Sequence, residues 1–436
     1  MKNYFLISFS VIIMALACDN ADGVRIDAAL KNQNSALVSD WIGLHLQVIK
    51  KTTGVTHVAF SRHFAYTGIA LYESLVNGDN HYKSIAGSVN GSIGLPVVPQ
   101  GKPLYWPAAA NAAVAEMLRF FYAGNPESIM RIDSLEEVYY TKYSHEVKNA
   151  TELDKAVTYG QQVAATVINW SKQDGADGSS TPYTTLGEGF WEPTPPAFAP
   201  ANVPGWGNNR TILPGSIHNT LPPAPVAFSI QPGSLFYTMA KEVYDVSQSL
   251  TETQKAIATF WDDAPNGKYV TVFGHWFSIF RQALETGHVG LMKAADTYLR
   301  LGVTMHDAAI SCWKAKYTYH LIRPVTYIRK HMGFENWNAY ITTPPHPEYS
   351  AAHATISSSA AYALESVFGP NYAFTDHTYD ALGMTPRSFS NFDAAGKEAG
   401  LSRLYGGIHY RPSAEAGNAQ GKKVGENVNQ LLKTRN

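Results

Sequence analysis

The sequence predicts an all-α protein: a large helical domain of two packed helix bundles with a long Pro/Gly-rich loop between them. Three observations carry this. Apolar residues recur at every third or fourth position through most of the 436 residues. Strand-like alternation is nowhere sustained. The helical pattern breaks at length only between Asp177 and Gly233.

The first segment stands apart from the fold. Lys2 is followed by "YFLISFSVIIMALA" and then Cys18. A charged start, a short apolar core and small residues before a cleavage point make an export signal, so residues 1–17 read as a signal peptide. Ala15-Leu16-Ala17 before Cys18 is similar to the lipobox of bacterial lipoproteins, which makes Cys18 a lipidation candidate. An ordinary cleaved signal is the alternative. The expected location is periplasmic, tethered to the outer membrane, or secreted. Cys312 is the only other cysteine, so no internal disulfide is expected in the mature chain. No later stretch is long and apolar enough to span a bilayer.

Residues 30–176 read as an N-terminal helical bundle. "ALVSDWIGLHLQVIKKT" and "HVAFSRHFAYTGIALYESLV" carry apolar residues at helical spacing. "LYWPAAANAAVAEMLRFFY" continues with Pro107 near its first turn, where proline is tolerated. "SIMRIDSLEEVYYTKYSH" and "ELDKAVTYGQQVAATVINWSKQDG" are two further helices. Residues 177–233 are then dense in Pro, Gly and Asn, with Trp191 and Trp206. A loop this long is either a linker between bundles or functional, and the two do not exclude each other.

Residues 234–436 read as a C-terminal bundle. Its helices are "SLFYTMAKEVYDVSQSL", "TETQKAIATFWDD", "VFGHWFSIFRQALE", "GLMKAADTYLRLGVTMHDAAISCWKAKYTY", "HATISSSAAYALESVFG", "NFDAAGKEAGLSRLY" and "SAEAGNAQGKKVGENVNQLLK". One internal echo joins the halves. "GIALYES" at Gly68 parallels "GVTMHDA" at Gly302, as two related bundles in tandem would leave behind.

Composition is globular, with 45% hydrophobic, 12% aromatic and 16% charged residues. Formal net charge is -1. No charge excess points to nucleic acid or a membrane surface as partner, so any anion site must come from local clustering.

Three clusters supply one. In "WKAKYTYHLIRP", Lys316 follows Trp313 by three and so shares its helix face. Arg323 comes two turns later, near the same face, and Pro324 should end the helix there. In "PHPEYSAAHAT", Ser350 is a plausible N-cap. A helix starting there leaves the first N–H groups, Ala352 among them, free to meet an anion beside His353. In "SRLYGGIHYRP", Arg403 and His409 flank a double glycine that lets both face one point. Singly, each cluster also suits a solvated basic face, a core histidine or a glycine C-cap. Jointly they provide cations, N–H donors and two imidazoles, the needs of a tetrahedral oxyanion site.

The joint pattern resembles the signature shared by type 2 phosphatidic acid phosphatases, bacterial acid phosphatases and vanadium-dependent haloperoxidases: K-x6-R-P, then P-S-G-H, then S-R-x5-H-x3-D. Lys316 to Pro324 fits the first part and Ser402-Arg403 to His409 the third. "FWDDAPNGKYVTVFGHW" and the Pro-rich loop resemble, more loosely, the exported bacterial haloperoxidase-like branch. The second and third parts depart from the signature. The motif serine falls on Ala351 and its glycine on Ala352; the final aspartate falls on Ser413.

The resemblance implies roles. Lys316, Arg323 and Arg403 would hold equatorial oxygens, with the Ala352 amide in place of the glycine amide. His353 would be the acid–base. His409 would be the axial ligand of vanadate, the implied cofactor, or the nucleophile towards phosphate. Loss of the serine hydroxyl should weaken the site by roughly 1.5–3 kcal/mol unless Ser350 or water replaces it. Asp307 is the expected acid orienting an arginine, with an exposed helix carboxylate as the alternative, and Trp313 the expected aromatic neighbour. His306, His320 and His346 are expected to be structural. The favoured activity is vanadate-dependent oxidation of halide by hydrogen peroxide. An acid phosphatase acting on phosphomonoesters, with no cofactor, is the alternative. A catalytically impaired surface lipoprotein is the third.

Overall fold

The computed structural model describes residues 27–99, 104–264 and 267–436. Cys18 and the export signal lie outside the described residues. The helices are α1 (Ala28–Lys31), α2 (Ala36–Lys51), α3 (Ala59–Glu73), α4 (Trp106–Phe121), α5 (Pro126–Glu146), α6 (Ala150–Ser171) and α7 (Leu235–Gln248). They continue as α8 (Glu252–Phe260), α9 (Thr271–Gly287), α10 (Leu291–Tyr319), α11 (Pro324–His331), α12 (Ala352–Phe368), α13 (Phe392–Tyr405) and α14 (Arg411–Leu431). The protein is thus largely helical. None of the described helices is long and apolar enough to cross a membrane.

Sequence signals set many of the boundaries. Asn125, Asn149, Ser234 and Asn391 cap their helices by accepting from a backbone N–H of the first turn. Thr251 and Gln254 form a reciprocal capping box at α8. Pro107 occupies the first turn of α4. Beside the helices, the described residues hold one short pair of strands. β1 (Phe374–Asp376) and β2 (Arg387–Phe389) pair antiparallel, Phe374 opposite Phe389. Strands of three residues are too short to display period two.

Close packing at small residues positions the site. α3 packs against α4, α6 and α10, while α12 packs against α10, α13 and α14. The glycines of the internal echo lie where α3 meets α10. A Cβ on Gly68 would stand 3.2 Å from the Leu299 backbone, and one on Gly302 only 3.0 Å from Phe64 O. The long central helix α10 is buried along almost all of its length.

Residues 177–233 lie mostly outside regular structure, apart from short 3₁₀ turns at Ala176–Gly178 and Pro204–Asn208. They are packed rather than dangling. Trp313 Nε1 and Tyr317 Oη both donate to Asn202 O. The Asn202 amide donates to Pro345 O at 2.8 Å. The Trp191 amide donates to His320 O. The segment therefore braces the stretch that delivers the signature residues.

Candidate active site

Lys316 and Arg323 meet by a route the sequence did not suggest. α10 stops at Tyr319, with His320 in the left-handed region at φ 50. Arg323 is the N-cap of α11, extended at φ -77 and ψ 152, as a residue before proline prefers. The two cations therefore come from a helix end and a turn, not from one continuous helix face. Both are fully buried. Lys316 Nζ donates to Pro347 O (2.9 Å), Glu348 O (3.0 Å) and Ser350 O (2.6 Å), which commits all three ammonium hydrogens. Arg323 donates from Nε to His346 O and from Nη1 to Ile408 O, both at 2.9 Å.

Arg323 Nη1 also stands 3.1 Å from His409 Nε2. A guanidinium only donates, so Nε2 is the lone-pair side of His409. The other ring nitrogen, Nδ1, lies 2.8 Å from Glu348 Oε1. Burial, then the charges of Arg323, Lys316 and Arg403, hold His409 well below the usual histidine range, so it is neutral at pH 7. Glu348 also accepts from the Tyr410 amide at 3.0 Å and from Ser413 Oγ. Sequence reasoning missed Glu348. The aspartate-to-serine departure at Ser413 was its one signal, because an orphaned histidine invites an acid from elsewhere.

His353 faces a second buried acid. Its Nε2 lies 3.4 Å from Asp263 Oδ2, close but not aligned as a hydrogen bond. Asp263 Oδ1 accepts from Tyr379 Oη and lies 3.0 Å from His275 Nδ1. His275 Nε2 lies 2.8 Å from Asp376 Oδ2. Burial opposes a charge on His275, but the two carboxylates outweigh it and raise the imidazole to about 10. Burial likewise opposes the Asp263 charge, and His275 with His353 overcomes it, so Asp263 stays ionised. His353 itself is lowered to about 4, by burial first and Arg403 second, against the pull of Asp263. It is neutral near pH 7 and able to accept a proton.

Four buried polar atoms around this point have no hydrogen-bond partner: Arg403 Nε, His353 Nε2, Asp263 Oδ2 and His57 Nε2. Arg403 is anchored only through Nη1, which donates to Trp261 O. His57, ahead of α3, comes from the N-terminal half and feels the charges of Asp263 and Arg403. No spacing rule pointed to His57 or Asp263.

The remaining expectations divide. Ala352 opens α12, with Ala351, not Ser350, as its N-cap. Ser350 caps nothing: its hydroxyl donates to Gln420 Oε1, so it does not replace the missing motif hydroxyl. Ala351 is fully buried and its amide donates to Ser413 O. Trp313 packs its ring 5.1 Å from that of His346. His346 packs behind Arg323, its Nδ1 accepting from Arg323 Nη2 at 3.0 Å. His306 is structural, paired with Ser61 Oγ. Asp307 orients no arginine. Its carboxylate accepts the Ile212 and Leu213 amides at 2.8 and 3.3 Å, tethering the long loop. It is neither an exposed carboxylate nor a site residue.

The donor set suits an oxyanion better than a bare metal ion. Among the described residues there is no group of three or more His, Cys, Asp or Glu able to hold a cation. Instead one imidazole lone pair, the unpartnered Arg403 Nε and the first-turn amides of α12 surround the site. Lys316 and Arg323 add positive charge from behind. That is the set that would hold vanadate: His409 on the metal, donors on its oxygens.

Known proteins match the chain over nearly its full length. The family described as the VCPO second helical-bundle domain matches residues 296–435, which hold every signature residue. A search of curated proteins gave no match. Among solved structures, a bacterial vanadium-dependent iodoperoxidase is 34% identical, covers 93% of this chain and 98% of its own, and superposes with a TM-score of 0.85. A bacterial vanadium-dependent chloroperoxidase in its holo form is 15% identical, covering 86% of this chain and 91% of its own, with a TM-score of 0.63. Its apo form is 14% identical, covering 88% and 96%, with a TM-score of 0.60. The chloroperoxidase structures share the fold. The identity to the iodoperoxidase, sustained across almost all of both chains, shows that this chain belongs to the bacterial vanadium-dependent haloperoxidase family.

Proposed function

We propose that the protein oxidises halide with hydrogen peroxide at a vanadate held by His409, and that iodide is its first halide. The observation that carries this is the His409 ring, neutral and turned with Nε2 towards Arg323, in a chain similar to an iodoperoxidase. Bound there, vanadate supplies a Lewis acid that activates peroxide towards halide without a change of oxidation state. The chain's own residues do the rest. Arg403, through its free Nε, and the Ala352 amide bond the oxygens. Lys316 and Arg323 stabilise negative charge in a water-poor setting where it counts most. His353 accepts a proton from incoming peroxide, with the Asp263 carboxylate behind it.

The wider organisation follows the same reading. Residues 30–176 and 234–436 form two related helix bundles, the second carrying the site, with 177–233 as the brace between them. The mature protein is exported and anchored through a lipid on Cys18.

The test is direct. Protein loaded with orthovanadate should oxidise iodide, and His409→Ala should abolish the activity. Hydrolysis of p-nitrophenyl phosphate inhibited by vanadate, with no halide oxidation, would favour phosphomonoester chemistry at the same residues. Neither activity, with no vanadate binding, would leave only a surface lipoprotein.

A further inference from the structure

We propose that Glu348 is the positioning carboxylate of His409, fixing the imidazole with Nδ1–H on Glu348 and Nε2 as the lone-pair nitrogen, on the Arg323 side where the anion would bind. The inference rests on the oxyanion site proposed above, but not on which reaction runs there. Three contacts define it. His409 Nδ1 lies 2.8 Å from Oε1, the Tyr410 amide donates to that same oxygen, and Ser413 Oγ donates to Oε2. Both carboxylate oxygens are thus engaged, and the side chain is fully buried. The tautomer is fixed a second time from the opposite edge of the ring. Arg323 Nη1, which can only donate, is 3.1 Å from Nε2.

The backbone under Glu348 is held as firmly as its side chain. Lys316 Nζ takes the carbonyls of Pro347, Glu348 and Ser350. The Glu348 amide donates to Leu321 O at 2.9 Å. Lys316 therefore fixes the strand of chain from which Glu348 reaches His409. The first cluster of the signature aims the third through a residue of the second.

Ser413 completes the argument. It lies four residues after His409, in the first turn of α14, where the resemblance expects an aspartate. A serine there carries no charge to set against an imidazole N–H. It donates into Glu348 instead, so acid and hydroxyl together replace one aspartate. Moving a carboxylate between the two positions should then preserve function.

The experiment reads the tautomer and the anion separately. Long-range ¹⁵N–¹H correlation spectra of the unliganded protein, assigned by loss of a signal in His409→Ala, should show His409 protonated on Nδ1. Glu348→Ala should lose that preference and bind orthovanadate about 10- to 100-fold more weakly by titration calorimetry. The double variant Glu348→Ala/Ser413→Asp should regain the Nδ1–H form and recover most of the affinity. A wild-type His409 protonated on Nε2 overturns the proposal, whether or not any variant folds. So does a folded Glu348→Ala that keeps tautomer and affinity, or a folded double variant no better than the single one. If the wild type binds orthovanadate with the expected tautomer but oxidises no halide, the reaction assignment fails and the role of Glu348 stands.

Discussion

The two histidines proposed for the site have different partners, and the proposed tasks differ accordingly. His409 is held between Glu348 at Nδ1 and Arg323 at Nε2, its lone-pair nitrogen, while His353 is backed by an ionised Asp263. Their losses should differ in kind. His353→Ala should reduce iodide turnover at least a hundredfold while orthovanadate affinity changes only a few-fold, because the ring moves a proton without carrying the anion. Loss of both together would assign His353 to binding instead. Ala351 gives the second residue-scale test. Ser350 is spent on Gln420, so nothing supplies the missing motif hydroxyl. Ala351→Ser should strengthen orthovanadate binding by roughly 1.5–3 kcal/mol, about tenfold or more, read by calorimetry. An unchanged affinity would mean that Arg403 and the α12 amides already saturate the oxygens. The cations and histidines were legible in the sequence because chemistry of this kind comes in fixed spacings. Glu348, Asp263 and His57 were not, since each reaches the site through tertiary packing from a stretch without helical period.

Among the helices, small residues decide which faces meet. Gly421 of α14 sits against α12, where an added Cβ would stand 2.0 Å from Thr355 O. Gly160 of α6 sits against α4 in the same manner, 2.0 Å from Ala109 O. Alanine at either position must push two helices apart, at a cost of about 1–3 kcal/mol or more. The consequences for the site should diverge. Gly421→Ala moves the neighbourhood of Gln420, which holds Ser350 at the head of α12, so it should lower both urea midpoint and orthovanadate affinity. Gly160→Ala should lower the midpoint alone. Equal effects on affinity would show that the site does not depend on the α12–α14 seam. The helices were readable from periodicity and caps. The turn at His320 and the β1–β2 hairpin were not: one rests on a left-handed residue, the other on strands of three.

At the scale of the whole molecule, the buried histidines set the response to acid. His45 is held at about 3, and His57, His306 and His353 at about 4, all chiefly by burial. His63, His346 and His409 lie well below the usual range for the same leading reason. In the unfolded chain each would titrate near 6.5. Between about pH 4 and 6.5 the unfolded state therefore binds more protons, and stability must fall as pH drops through that window. Two sets of groups run otherwise. Glu73 and Asp307 are raised to about 7, and Glu348 is also raised, each by burial. They favour the folded state below the usual carboxylate range and lose that contribution as pH rises. Glu136, Asp262 and Glu365 are raised in the same way, so six acids oppose the seven histidines and flatten the slope without reversing it. His275, raised to about 10 between Asp263 and Asp376, contributes fully below 6.5 and loses its contribution only as pH climbs towards 10. Each uncompensated histidine is worth about 1.4 kcal/mol per pH unit once below 6.5. Urea midpoints measured from pH 4.5 to 8 should thus climb from the acid side to a plateau near neutrality, because above it the loss from His275 is opposed by Lys316, which burial lowers to about 7 and which favours the folded state more as pH rises. A midpoint that stays level or rises towards pH 4.5 would mean these histidines are charged in the folded protein, and the neutral His353 and His409 on which the site depends would go with them.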